Sequence, residues 1–116
     1  MPAASEPKTV AESYFACMRA GDVAVVDLFH EDAVLRGLGF RKQGQEQIRE
    51  FYAGAIAGAR PSPSPASQLL VDGDRVFAEV TIALADGTSV HALDVFHVEE
   101  GRIRSLTYFT ADYPSD

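Results

Sequence analysis

The chain has 116 residues, 47% of them hydrophobic and 23% charged, the balance of one ordinary globular domain. Seventeen acidic residues against ten basic ones leave a net charge of −7, which repels a phosphate backbone and argues against nucleic-acid binding. No apolar run is long enough to span a membrane, and the single Cys17 excludes an internal disulfide or a thiolate metal cage.

Residues 1–116 read as a single domain with a short flexible tail over residues 1–7. That tail lacks the basic and apolar regions of a secretion signal, so a cytoplasmic protein is expected. Thr9-Val10-Ala11-Glu12 has the pattern of a capping box and predicts a helix. Its apolar positions Val10, Tyr14, Cys17 and Met18 recur at helical spacing, and Gly21 ends it near Ala20. Asp22 is placed to cap a second, short helix with Val25, Val26 and Phe29 on its apolar face, ended by His30-Glu31-Asp32. Ala33 to Arg36 predicts a brief strand. A third helix is expected from Gln43 or Gly44 to Ala57, with Ile48, Phe51, Tyr52, Ala55 and Ile56 on one stripe. Pro61-Ser62-Pro63-Ser64-Pro65 stops any helix and reads as a loop. Beyond it the hydrophobic period becomes two. Turn signals at Asp72-Gly73, Asp86-Gly87 and Glu100-Gly101 divide the remainder into strands at 66–71, 75–84, 88–98 and 102–110.

This order predicts an α+β fold: a curved, mixed or antiparallel sheet shaped as a cone and roofed by three N-terminal helices, with room for an apolar small molecule beneath the roof. The stretch from His91 to Phe109 carries the one carboxylate set among apolar residues, Asp94 between Leu93 and Val95. Hairpin register decides which way it points. If Ala85-Asp86-Gly87 is a loop with glycine left-handed, Ala78 pairs with Asp94. The same reading of Glu99-Glu100-Gly101 pairs Val98 with Arg102, Phe96 with Arg104 and Asp94 with Leu106. Asp94 then faces inward. His91, Leu93, Val95 and His97 fall on the opposite face with Phe77, Glu79, Thr81, Ile103, Ser105, Thr107 and Phe109, a mixed surface suited to a protein interface.

Burial without a cationic partner would raise the pKa of Asp94 and fit it for general acid or base work, whereas its ordinary role would be a structural hydrogen bond to Tyr14 or Tyr108. Tyr14 is read equally as core or as a hydroxyl donor. Phe29, Phe51, Tyr52, Phe96, Leu106 and Tyr108 are core residues that can also line the cavity. Cys17 reads as a small core residue, His30, His91 and His97 as structural or interface residues, and Arg36 as either a solvated side chain or an anion contact at the mouth. The histidines lack tight ligand spacing, so no metal is expected.

The sequence resembles the nuclear transport factor 2-like superfamily, and within it the SnoaL-like and ketosteroid isomerase-like proteins. The residues that carry the resemblance are Ala20-Gly21-Asp22, Leu28-Phe29-His30-Glu31-Asp32-Ala33-Val34, Gly44 to Tyr52, and Ala92 to Ile103. It implies a helix-roofed conical sheet across nearly the whole chain, and a cofactor-free acid–base isomerase or cyclase acting on an apolar polycyclic or terpenoid-like substrate. A homodimer through the outer sheet face is expected. By the same resemblance Tyr14 stands where the isomerases have a tyrosine donating to a substrate oxyanion, and Asp94 where both subfamilies have a pocket acid. The proton-abstracting aspartate of the isomerases corresponds to Gly37, which cannot abstract a proton. That departure favours, as the competing expectation, a noncatalytic ligand-binding or dimerisation module. Epoxide hydrolysis is the third, requiring a carboxylate network of which Asp94 is the one plain member.

Overall fold

Residues 6–111 are described by the structure, a computed structural model. Helix α1 spans Pro7–Ala20 and buries Val10, Ala11, Tyr14, Phe15 and Met18. Its start differs from the expected capping box: Glu6 is the cap residue, makes no side-chain cap bond, and Pro7 opens the helix. Proline suits that position because its missing N–H would have no helical partner there. At the other end Gly21 is left-handed (φ 67°), and the Gly21 and Asp22 amides return to the carbonyls of Met18 and Cys17.

Asp22 caps the next segment as expected, its Oδ1 accepting from the Ala24 amide at 2.9 Å. The segment, Val23–Leu28, is a 3₁₀ helix and stops before His30. The brief strand expected at 33–36 is instead β1, Phe29–Gly37, so His30 is a strand residue. A tight turn leads to β2, Phe40–Gln43, and then α2, Gln45–Ala57, which buries Ile48 and Tyr52.

The expected proline loop is an edge strand, β3, Ser62–Pro65, paired with one side of the long strand β5, Arg75–Ala83. Proline is tolerated there because an edge strand can turn its missing donor away from the ladder. The short β4, Leu70–Asp72, pairs with β5 further along. Strands β6, Ser89–Glu99, and β7, Arg102–Thr110, complete the sheet. The order is β2-β1-β7-β6-β5-β3, antiparallel except for the β1–β7 pair. The sheet is thus mixed, curved and unclosed. Helix α1 packs against β3, β5 and β6, and α2 against β1 and β2. Both close over the face that carries Val76, Ala78, Val80, Ala92, Asp94, Phe96 and Val98.

The β5–β6 register is the one expected, with Ile82 opposite Val90, Val80 opposite Ala92 and Ala78 opposite Asp94. Gly87 sits at φ 90°, and Asp86 Oδ1 accepts from the Thr88 amide at 3.0 Å, fixing the turn. The β6–β7 register differs from expectation. Glu100 and Gly101 both have positive φ (53° and 80°), and Glu99 pairs with Arg102 across a tight two-residue turn. The ladder then bulges between His97 and Val98. Ile103, expected outside, therefore turns in opposite Val98 and is fully buried. Arg104 is taken up in the bulge, where it bonds Glu99 at 2.9 Å and Asp32 from β1. Beyond the bulge Phe96 faces Leu106 and Asp94 faces Tyr108, instead of Arg104 and Leu106.

Candidate active site

Asp94 lies at the middle of β6 on the buried face, where the alternation of Ala92, Asp94, Phe96 and Val98 places it. It is 1% exposed and is the one buried charged residue among those described. No described residue hydrogen-bonds its Oδ1. Burial pushes the carboxyl up to about 8, because the charged form loses its hydration with no cation to replace it. At neutral pH the carboxyl is therefore mostly protonated.

Asp94 borders a cavity of about 210 Å³ that opens to solvent. Three tyrosines share that cavity: Tyr14 from α1, Tyr52 from α2 and Tyr108 from β7. Their hydroxyls form a triangle, 2.8 Å from Tyr14 to Tyr52, 2.6 Å from Tyr14 to Tyr108 and 2.5 Å from Tyr52 to Tyr108. Burial raises all three above the ordinary phenol range. For Tyr14 and Tyr108 the next causes are the neighbouring tyrosines and then Asp94. The hydroxyls thus keep their protons. Three donors in a ring can satisfy one another, or the ring can open so that one hydroxyl donates to a cavity oxygen while the other two polarise it.

Apart from Thr110 the remaining lining is apolar and comes largely from Met18, Phe51, Ala55, Ile82, Leu84, Val90 and the prolines Pro61 and Pro63. Of the residues read from the sequence as a pocket, Tyr14, Phe51, Tyr52, Asp94 and Tyr108 border this space. Phe29, Phe96 and Leu106 do not: each is fully buried in the core behind it, with the Phe96 ring edge-on to Tyr14 at 5.3 Å. The Asp94 hydrogen bond to Tyr14 or Tyr108 considered from the sequence is replaced by the bonds the tyrosines make to one another. Pro61 and Pro63 were legible only as helix breakers. Their place at the cavity follows from the β3–β5 pairing, for which the sequence carries no local signal.

The histidines stand outside this lining. His30 Nε2 lies 2.7 Å from the Glu99 carbonyl, His97 Nε2 3.0 Å from Asp74 Oδ2, and His91 3.9 Å from Glu79. Among the described residues no cluster of His, Cys, Asp or Glu could hold a metal ion. Gly37, where the resemblance would put a base, ends β1. A Cβ built there would stand 3.0 Å from the Phe40 ring and 3.4 Å from Tyr108, so a side chain there would press on both rings.

The sequence matches the profile of the SnoaL-like domain over residues 11–106, a span that contains both Tyr14 and Asp94. The chain belongs to the SnoaL-like domain family. Among curated proteins none matches it significantly. Solved structures of SnoaL-like and related nuclear transport factor 2-like proteins share the fold. A Sinorhizobium meliloti protein assigned as a polyketide cyclase is 26% identical, with a TM-score of 0.79, covering 86% of this chain and 93% of its own. One from Kribbella flavida assigned as a ketosteroid isomerase is 18% identical, with a TM-score of 0.80 and coverage of 95% and 81%. An epoxide hydrolase of M. tuberculosis is 22% identical, with a TM-score of 0.80 and coverage of 91% and 83%. SnoaL-like architecture therefore comes with neighbours assigned to three different reactions, and the choice among them rests on the site.

Proposed function

We propose that this SnoaL-like protein is a cofactor-free acid–base isomerase or cyclase for an apolar carbonyl compound, with Asp94 as the proton-transfer residue. The observation that carries this reading is the buried carboxyl with an unpartnered Oδ1 on an apolar cavity beside three clustered hydroxyls. An unused carboxyl in such a place costs stability without return, whereas one that meets a substrate is expected there.

In the reaction, the Asp94 carboxylate takes a proton from a carbon next to the substrate carbonyl. The C–H electron pair moves to the oxygen as an enolate, to which Tyr14, one corner of the hydroxyl triangle, donates a hydrogen bond. The proton on Asp94 then returns to a different carbon in an isomerisation. In a cyclisation the enolate carbon attacks a second carbonyl, and the proton goes to the resulting alkoxide. A cavity of about 210 Å³ encloses one ring and its carbonyl, leaving the rest of a polycyclic or terpenoid-like substrate toward the opening.

Gly37 supports a second reading, a noncatalytic ligand-binding module, since a side chain there would press on the Phe40 and Tyr108 rings. In either case we infer a cytoplasmic homodimer joined through the outer sheet face, centred on the exposed Leu93 of β6. No described helix is long and apolar enough to cross a membrane. Conversion of 3-cyclohexen-1-one to its conjugated isomer in D₂O, followed by NMR, tests the enzymatic reading. The wild type should accelerate isomerisation and deuterium uptake, and Asp94→Asn should abolish both. Equal rates in the two proteins would overturn it.

A further inference from the structure

Arg36 and Arg41 are direct cross-strand partners in the β1–β2 hairpin. Like charges directly opposite one another destabilise a ladder, and this chain has carboxylates to spare. Arg49 and Arg104 are matched with acids, Arg49 with Asp27 at 3.7 Å and Arg104 with Asp32 and Glu99. Among the described residues Arg36 and Arg41 have no carboxylate partner and are held by neutral groups. Arg36 Nε donates to Thr107 Oγ1 at 3.2 Å, and Arg41 Nη1 to Gln43 Oε1 at 3.3 Å.

Arg36 and Arg41 border a groove of about 480 Å³ on the sheet, with Leu38, Thr107 and Phe109 on their side of it and the Phe40 and Tyr108 rings packed beneath, on the buried side. Leu38 is 67% and Phe109 57% exposed, apolar surface for which the described residues supply no cover. Gly37 borders the groove, and a Cβ there would stand 3.0 Å from the Phe40 ring. Tyr108 is the partition: it lines this groove and also the inner cavity.

We propose that the Arg36–Arg41 groove is a second binding site, taking an organic anion in which a carboxylate or phosphoryl group is attached to a flat apolar body. Paired guanidinium groups match the oxygens of such an anion, and the repulsion between them falls when it binds. The exposed Leu38 and Phe109 side chains receive the body. This site stands apart from the chemistry at Asp94, so its failure would leave the isomerase reading untouched.

The test is methyl NMR titration of the full chain with benzoate, phenyl phosphate and the neutral control benzamide. Leu38 methyls report the groove, and Ile82 and Val90 methyls the cavity. Benzoate or phenyl phosphate should shift Leu38 saturably and leave Ile82 and Val90 in place, the tighter of the two naming the anionic group. Benzamide should bind at least tenfold more weakly. Arg36→Gln with Arg41→Gln should abolish the shifts, while Arg41→Gln alone should raise the melting temperature of the unliganded protein by relieving repulsion. Asp94→Asn should bind both anions as the wild type does. Equal binding of benzamide, shifts confined to Ile82 and Val90, or undiminished binding by the double variant would each overturn the proposal.

Discussion

Asp94 on β6 and Tyr108 on β7 are direct cross-strand partners, so the carboxyl with its unpartnered Oδ1 and one corner of the hydroxyl triangle stand side by side on the buried face of the sheet. The pair puts a carboxylic acid and a phenol cluster in one apolar enclosure. Both hold their protons at neutral pH, and for the same reason: burial penalises the charged form of each.

Stability should fall as pH rises. The folded carboxyl of Asp94 is pushed up to about 8, against about 3.9 for an unfolded aspartate. Between those values the native state holds a proton that the unfolded state has released. Raising the pH through that window therefore favours unfolding, at about 1.4 kcal/mol per unit at most from this group. Urea melts at pH 5 and pH 9 should show Asp94→Asn near wild-type stability at pH 5 and more stable by on the order of a few kcal/mol at pH 9. The same pH dependence in both proteins would show that Asp94 is not the group responsible.

Catalysis that begins with proton abstraction needs the ionised carboxyl. The pH profile of kcat/KM should rise tenfold per unit below about 8 and level off above it, since burial holds the group at about 8. A profile flat from pH 6 to 9 would remove Asp94 from the proton-abstracting step.

Tyr14→Phe deletes two edges of the hydroxyl triangle and leaves the Tyr52–Tyr108 bond. The expected cost to stability is about 1 kcal/mol, the worth of a typical buried hydrogen bond. Turnover should fall much further, roughly 10²-fold, if this hydroxyl meets the enolate oxygen. Comparison with Tyr52→Phe separates the two effects. If both variants lose turnover equally and only in step with stability, Tyr14 is structural.

Gly37→Ala should destabilise by about 1–3 kcal/mol, because the new methyl would crowd the Phe40 ring at 3.0 Å. Pairing it with Phe40→Leu should recover most of that loss, and thermal melts of the single and double variants measure the coupling. Additive losses would show that Phe40 is not what requires glycine at this position.

The amino-acid sequence by itself determined the direction of Asp94. Period-two alternation from Val76 to Val98 and the turn residues Ala85-Asp86-Gly87 are local signals, and they set the β5–β6 register with Ala78 opposite Asp94. The helices were legible for the same reason, from Gly21 as a stop and from the Tyr14 and Tyr52 stripes. Tertiary structure decided the rest. The β6–β7 ladder bulges at Arg104, a residue matched by Asp32 from a strand far away in sequence, and no local pattern announces that partner. The proline segment became β3 because β5 offered it an open edge. The site itself is of this second kind: Tyr14, Tyr52 and Tyr108 come from two helices and a strand, and only the packing of α1 and α2 over the sheet brings their hydroxyls within bonding distance beside Asp94. Alternation and turns act between neighbours along the chain, whereas a cavity is made by the long-range contacts that close it.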